Sequence, residues 1–224
     1  MTAHKPIIST LTILTLSLSS FAQSHFKIQA GAAVPLAKFA KFDNGAEGNG
    51  AAVTGFSLGL QYNYDIPQSR LGTFIGADIH YNGLQDEYKK NFEQFKPFYP
   101  DTYYAQFSKY INIPLSAGLI YTKGFGHSWG VTSEAGLVYN IFKITDTKFK
   151  YDTHAFYRET DLATNLGFRL GLGLTWHQRY YVSLNYFGLG QHEISGHFTA
   201  DGEAGEFEAK QTVDLLAISL GFRI

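Results

Sequence analysis

The sequence predicts an eight-stranded antiparallel up-and-down transmembrane β-barrel, and three observations lead to this all-β fold class. Apolar and polar side chains alternate with a period of two in about eight segments, as in strands with two unlike faces. The connections between these segments are alternately long and short. Almost all charged side chains fall in the connections, so one face of each segment is nearly free of charge.

The chain begins with a segment typical of export. Residues 7–18 form an apolar core that is too short to cross a bilayer as a helix. Small residues occupy the two positions that signal peptidase reads before a cut after Ala22, and a cut after Gln23 is the alternative. We therefore expect a cleavable signal peptide over residues 1–22 and a barrel domain over residues 23–224.

The predicted strands follow in order along the chain. In each one, apolar side chains are separated by small or polar ones, as Leu58, Leu60 and Tyr62 are by Gly59 and Gln61. This pattern places one apolar and one polar face on every strand. The eight strands lie near residues 26–34, 53–64, 71–83, 107–121, 129–142, 162–176, 180–190 and 212–224.

Connection length indicates how the barrel is oriented. Three connections are short, at residues 65–70, 122–128 and 177–179. Four connections are long, at residues 35–52, 84–106, 143–161 and 191–211. Outer-membrane barrels have short turns on the periplasmic side and long loops outside the cell. We therefore expect an outer-membrane protein with both termini in the periplasm.

The charged side chains within the strands define a candidate site. With Lys109 counted as part of the preceding loop, six occur in the predicted strands: Lys27, Asp78, Glu134, Arg169, Asp214 and Arg223. All but Asp214 lie on the polar face, which must point inward because a charge facing lipid costs ~2–4 kcal/mol at mid-bilayer. Buried charges must be paired, so we predict a luminal charge network that fills the barrel. Its members would be Asp78, His80, Glu134, Arg169 and Arg223. A gated proton or ion path is the alternative.

The connection at residues 84–106 is dense in aromatic residues. Four of its rings have the spacing of one helix face: Tyr88, Phe92, Phe95 and Tyr99. This spacing predicts a short amphipathic helix at the membrane surface or over the barrel mouth. Its rings either pack on one another and order the connection, or form a contact surface for lipopolysaccharide, a protein or an apolar ligand.

Composition excludes several classes of chemistry. The chain contains no Cys, so disulfides, thiolate metal sites and thiol nucleophiles are impossible. A net charge of -1 argues against nucleic-acid binding. His192 and His197 are five residues apart rather than the four that share a helix face, and Ser195 between them lacks a third member for a Ser/His/acid set. We expect no metal, no cofactor and no enzymatic activity.

Short motifs along the whole chain carry a resemblance to a known family. They are the signal ending at residues 21–23, Gly31, the segment YINIPL at residues 110–115, the glycines Gly171 and Gly173, and the closing segment at residues 220–224. On these motifs the chain resembles small OmpA/OmpX-type barrels, and more closely the outer-membrane β-barrel domain proteins of Bacteroidetes. The resemblance implies fold and location but no single activity. Ile224 departs from the aromatic residue that ends many such proteins.

The function expected from these observations is a structural or surface-interaction role carried by long extracellular loops. The alternatives are a lipid A-modifying enzyme on the barrel rim, and a narrow channel or an accessory component of a secretion system. The expected partners are outer-membrane lipid and lipopolysaccharide, the barrel-assembly machinery during insertion, and an extracellular or secretion-system protein.

Overall fold

The computed structural model describes residues 24–42 and 48–224, and this part of the chain is mainly β-structure. Its strands are β1 (Ser24–Pro35), β2 (Gly55–Asp65), β3 (Leu71–Asn82), β4 (Tyr104–Gln106), β5 (Tyr110–Phe125), β6 (Trp129–Ile144), β7 (Thr147–Tyr151), β8 (His154–Thr160), β9 (Ala163–Trp176), β10 (Tyr180–Ala200) and β11 (Glu203–Arg223). Its helices are α1 (Ala37–Ala40) and α2 (Asp86–Glu93). Neither helix in this part of the chain is long and apolar enough to cross a membrane. The predicted signal peptide, residues 1–22, lies outside the described residues.

Eight of these strands form a closed antiparallel ring, in the order β1, β2, β3, β5, β6, β9, β10 and β11. The ring closes between the first and last strands, where Lys27 lies opposite Arg223. Both strands meet at one rim, because the Phe26 amide donates a hydrogen bond to the Ile224 carbonyl at 3.1 Å. This arrangement confirms the predicted eight-stranded up-and-down barrel. We call the rim with the short turns the periplasmic end, and the opposite rim the outer end.

The barrel has an apolar exterior and a polar interior, as the alternation predicted. Leu137, Leu166 and Leu220 are 75%, 74% and 68% exposed on the outside. Gln61 and Asn185 are buried on the inside. Burying apolar surface is worth roughly 25 cal/mol per Å², so a continuous apolar belt of this kind would be strongly unfavourable in water. The belt is therefore a lipid-facing surface.

Residues 191–211, predicted as a long loop, instead form a β-hairpin that extends the barrel wall. β10 and β11 remain paired beyond the outer end, as far as Ala200 opposite Glu203. The register shifts between Gly188 and Gly190, and Gly190 has a φ of 75°. Glycine adopts this backbone conformation without steric cost, which allows a bulge where the hairpin leaves the membrane.

Three further strands complete a sheet above the outer end. Beyond Gly196, β10 pairs with β8 instead of β9, β8 pairs with β7, and β7 pairs with the short strand β4. We call β4, β7, β8 and the extended parts of β10 and β11 the outer layer. Much of the predicted loop structure outside the membrane is thus ordered β-sheet.

Candidate functional site

The lumen is organised around Arg169 of β9, whose side chain is completely buried. Its Nη2 atom lies 2.6 Å from Glu134 Oε2, 2.8 Å from Gln61 Oε1 and 3.1 Å from Asn185 Oδ1. Its Nη1 atom lies 3.4 Å from Asp78 Oδ2. One guanidinium therefore contacts two carboxylates from two other strands, in a planar geometry that suits carboxylate oxygens.

A second cation completes this cluster. Lys27 Nζ of β1 lies 3.2 Å from Glu134 Oε1, and Gln61 Nε2 donates to the same oxygen at 3.1 Å. Gln29 Nε2 donates to Asp78 Oδ1 at 2.9 Å. Two cations thus face two carboxylates, and amide groups satisfy their remaining lone pairs. We call this set the luminal cluster. Its two positive charges balance its two negative charges, which is what allows such groups to stay buried, and within the described residues Arg169 Nε has no hydrogen-bond partner.

The structure brings together three of the five residues predicted for the luminal network: Asp78, Glu134 and Arg169. His80 is buried in the same lumen but packs edge-on against Phe187, with ring centroids 4.8 Å apart. Within the described residues, neither of its ring nitrogens has a hydrogen-bond partner. His80 therefore fills space beside the luminal cluster and, within the described residues, forms no hydrogen bond with its members.

Arg223 also lies apart from the luminal cluster. Its Nη2 atom is 3.6 Å from Asp65 Oδ2 at the periplasmic end. Lys27 is its direct cross-strand neighbour and turns the other way, toward Glu134. Two adjacent cations repel each other, and each of these two turns toward a different carboxylate: Lys27 toward Glu134 and Arg223 toward Asp65. The predicted network therefore included Arg223, which lies at the rim, and left out Lys27, which contacts Glu134.

An apolar layer closes the lumen above the luminal cluster. Phe39 of α1 is fully buried in the barrel mouth, and its ring packs edge-on against Tyr110 at 5.0 Å. The Tyr110 hydroxyl donates to the Gly50 carbonyl at 2.5 Å. The described parts of the connection after β1 are therefore folded into the mouth. Other buried side chains of this layer are Leu84, Phe142, Leu189, Val213 and Leu215.

A cavity of about 680 Å³ opens above the apolar layer. The connection after β1, the start of α2, β8 and the extended parts of β10 and β11 contribute to its wall. Four aromatic side chains and one guanidinium line it: Phe42, Tyr88, Tyr110, Phe207 and Arg158. We call this space the mouth cavity.

The aromatic rings with helical spacing in the connection after β3 pack against the outer layer. α2 covers its first half, and turns continue the segment to Tyr99. Phe92 packs against Phe149 of β7 at 5.3 Å, and Phe95 stacks on Tyr151 at 4.7 Å. Tyr99 also contacts the Tyr151 ring, and Tyr88 contacts Phe42. These rings connect the segment after β3 to the outer layer, and Tyr88 alone of the four also lines the mouth cavity.

The segment at residues 192–197 does not assemble a hydrolytic set. His192 is fully buried in the lumen, where its Nε2 atom lies 3.0 Å from Asn140 Nδ2. Ser195 points to the opposite face of β10, and its hydroxyl donates to Asp161 at 2.8 Å. Residues 24–42 and 48–224 contain no group of three or more His, Cys, Asp or Glu side chains that could hold a metal ion.

A hydrogen-bonded His–Asp pair connects the two hairpins of the outer layer. His154 Nδ1 lies 2.8 Å from Asp201 Oδ2, and the Ala155 amide donates to Asp201 Oδ1 at 2.8 Å. Because the His154 ring donates this hydrogen bond to the Asp201 carboxylate, the pKa of His154 is raised above its usual value of 6.5. The same bond, followed by that from Ala155, lowers the pKa of Asp201.

Comparisons with known proteins identify the fold. No family model matches the chain, and no curated protein matches it in sequence. The outer membrane protein OprG from Pseudomonas aeruginosa matches in structure, with a TM-score of 0.50 and 11% identity over 90% of this chain and 96% of that one. Neisserial surface protein A matches with a TM-score of 0.49 and 13% identity over 90% and 96% of the two chains. This chain has the outer-membrane β-barrel fold.

At these identities the likeness concerns the fold alone. It confirms the OmpA/OmpX-type architecture, whereas the resemblance to the Bacteroidetes proteins is not confirmed. The barrel's own apolar belt adds an independent observation, because a belt of this kind requires lipid around it. Together, fold and belt confirm the predicted outer-membrane location.

Proposed function

We propose that this protein is a closed outer-membrane barrel that acts by binding at its outer mouth, without transport or catalysis. The observation that carries this proposal is the double filling of the lumen. The luminal cluster occupies the lower part, and the apolar layer around Phe39 occupies the part above it. An eight-stranded barrel has a bore that side chains just fill, so two successive layers leave no continuous water path.

The outer layer supports a binding role. Strands hold its position, and aromatic contacts fix α2 against it, so that it is a rigid scaffold instead of a set of flexible loops. Binding residues are often displayed on such scaffolds at the ends of rigid elements. The partners we propose are outer-membrane lipid and lipopolysaccharide around the belt, and an extracellular ligand or protein at the mouth.

The absence of catalysis is part of the proposal. Ser195 is the nucleophile candidate of the alternative function, a rim enzyme, but its hydroxyl is bound to Asp161 and His192 faces the other side of the strand. A serine nucleophile needs a base within hydrogen-bond reach. Mass spectrometry of lipid A before and after incubation with the folded protein should therefore show no new species, and Ser195→Ala should behave identically.

Electrical recording tests the closed lumen. In planar bilayers, the purified protein should show at most small, irregular currents, with a general porin as the positive control. Phe39→Ala should remain non-conducting, because the luminal cluster still fills the bore below that ring. Steady porin-like conductance in the parent protein would contradict the proposal. Steady conductance in Phe39→Ala alone would show that the luminal cluster is not a barrier.

A further inference from the structure

The mouth cavity contains a guanidinium whose donors are mostly unused. Arg158 is half-buried on the cavity side of β8. Within the described residues its guanidinium makes one long hydrogen bond, at 3.4 Å to Ser108 Oγ, and no ion pair. Arginine has five N–H donors in a planar fork that matches a carboxylate. Partial burial weakens the hydration of this cation, so an anion that replaced the lost water would be stabilised there.

Aromatic rings form part of the wall around this cation. The Arg158 guanidinium lies over the ring of Phe207 at 5.6 Å. Phe42 and Tyr88 line the same cavity and pack edge-on against each other at 6.0 Å. Aromatic surfaces favour flat apolar groups, which pack against them in stacked or edge-on geometry. The cavity thus offers aromatic faces beside the Arg158 guanidinium, within a wall that also contains polar side chains.

Charge and size restrict the ligand further. The described charged residues of the cavity lining are Lys41, Arg158, Lys210 and Glu208, so positive charge exceeds negative charge. A volume of about 680 Å³ falls within the range of roughly 300–1,000 Å³ that is typical of small-molecule sites. This space suits a ligand of one or two rings that carries a single anionic group.

We infer that the mouth cavity binds a small aromatic carboxylate. The Arg158 guanidinium donates hydrogen bonds to the carboxylate, and the rings of Phe42, Tyr88 and Phe207 pack around the aromatic part of the ligand. This inference deepens the proposed function and rests on it only in treating the outer mouth as the binding end. Arg158 is the anchoring residue of this site.

Equilibrium dialysis with 2-naphthoate tests the inference on the full protein folded in detergent micelles, with empty micelles subtracted. The parent should bind 2-naphthoate saturably, and its neutral analogue 2-naphthamide much more weakly. Arg158→Met keeps an unbranched apolar side chain and should weaken 2-naphthoate binding by about tenfold or more. Arg158→Lys keeps the charge without the fork and should give an intermediate loss.

Lys150→Met is the matched control. Lys150 is an exposed cation of β7 on the face opposite the aromatic contacts, so its loss should leave 2-naphthoate binding unchanged. The heat-dependent gel shift of each variant verifies that it has folded. Equal binding by Arg158→Met and the parent, equal losses in both methionine variants, or no saturable binding by the parent would each overturn the inference. A parent that binds 2-naphthoate and also conducts would refute the closed barrel but not this site.

Discussion

Replacing Arg169 with methionine tests whether the luminal cluster holds the barrel together. The change removes the cation that lies 2.6 Å from Glu134 and 3.4 Å from Asp78, and only Lys27 remains to face both carboxylates. Leaving a buried charge without its partner costs ~3–5 kcal/mol. We therefore expect the free energy of unfolding of Arg169→Met to fall by about that amount.

A double-mutant cycle assigns this loss to a specific partner. Glu134→Gln combined with Arg169→Met removes one charge of each sign, so the double variant should lose less stability than the sum of the single variants, by ~0.5–3 kcal/mol. The corresponding cycle with Asp78→Asn should show a weaker coupling, because the distance to Arg169 is 3.4 Å instead of 2.6 Å. The order of the two couplings is thus fixed by the geometry.

Reversible unfolding by denaturant in lipid vesicles measures these energies. Trp129 and Trp176, which face each other at the periplasmic end, provide the fluorescence signal. Lys150→Met, which removes an exposed cation, should change stability by less than about 0.5 kcal/mol. Strict additivity in the cycle with Glu134 would refute the pairing described here. A coupling of Arg169 to Asp78 that is stronger than its coupling to Glu134 would show that Asp78 is the main partner of Arg169.

Three further predictions concern the belt, the mouth and the outer layer. Leu172→Arg places a charge at a lipid-facing position that is 60% exposed, which should cost ~2–4 kcal/mol. The yield of the folded, heat-shifted band on gels should therefore fall. A yield equal to that of the parent protein would show that this side chain does not face lipid. Phe39→Ala should lower the free energy of unfolding by ~3–5 kcal/mol. It should also speed hydrogen exchange of the Ala52 amide, which donates to the Phe39 carbonyl. Unchanged exchange at Ala52 would show that the Phe39 ring does not order the barrel mouth. His154 should titrate above pH 6.5 by NMR, and Asp201→Asn should lower its midpoint. The stabilisation from this pair is lost as pH rises through the raised pKa of His154, and also as pH falls through the lowered pKa of Asp201.

The sequence was sufficient to predict the barrel because a period of two is a local property. Each face of a strand can be read from alternate residues, so Leu172 and Arg169 could be placed outside and inside before the neighbouring strands were known. The outer hairpin was missed for the same reason. Around Glu193 and Ser195 the alternation is weak, because Ile194 is the one apolar side chain among the buried positions 192, 194 and 196. This part of β10 stands outside lipid and pairs with β8 through a long-range contact.

Long-range geometry also limited prediction of the sites. Asp78, Glu134 and Arg169 could be grouped by their inward positions, but only the barrel's register shows that Lys27 reaches Glu134 while Arg223 turns to the rim. The mouth cavity has no local signal. Its wall combines segments as distant in sequence as those after β1 and in β11, and no spacing pattern connects them.

The luminal cluster has a consequence for assembly. Its four charges come from β1, β3, β6 and β9, and Lys27 belongs to the strand that seals the ring against β11. A partly formed sheet in the bilayer would leave Lys27 and a carboxylate without partners, at a cost of several kcal/mol. Closure of the ring removes that cost in a single step. Insertion should therefore be nearly all-or-none, because open intermediates are penalised by the same charges that stabilise the finished barrel.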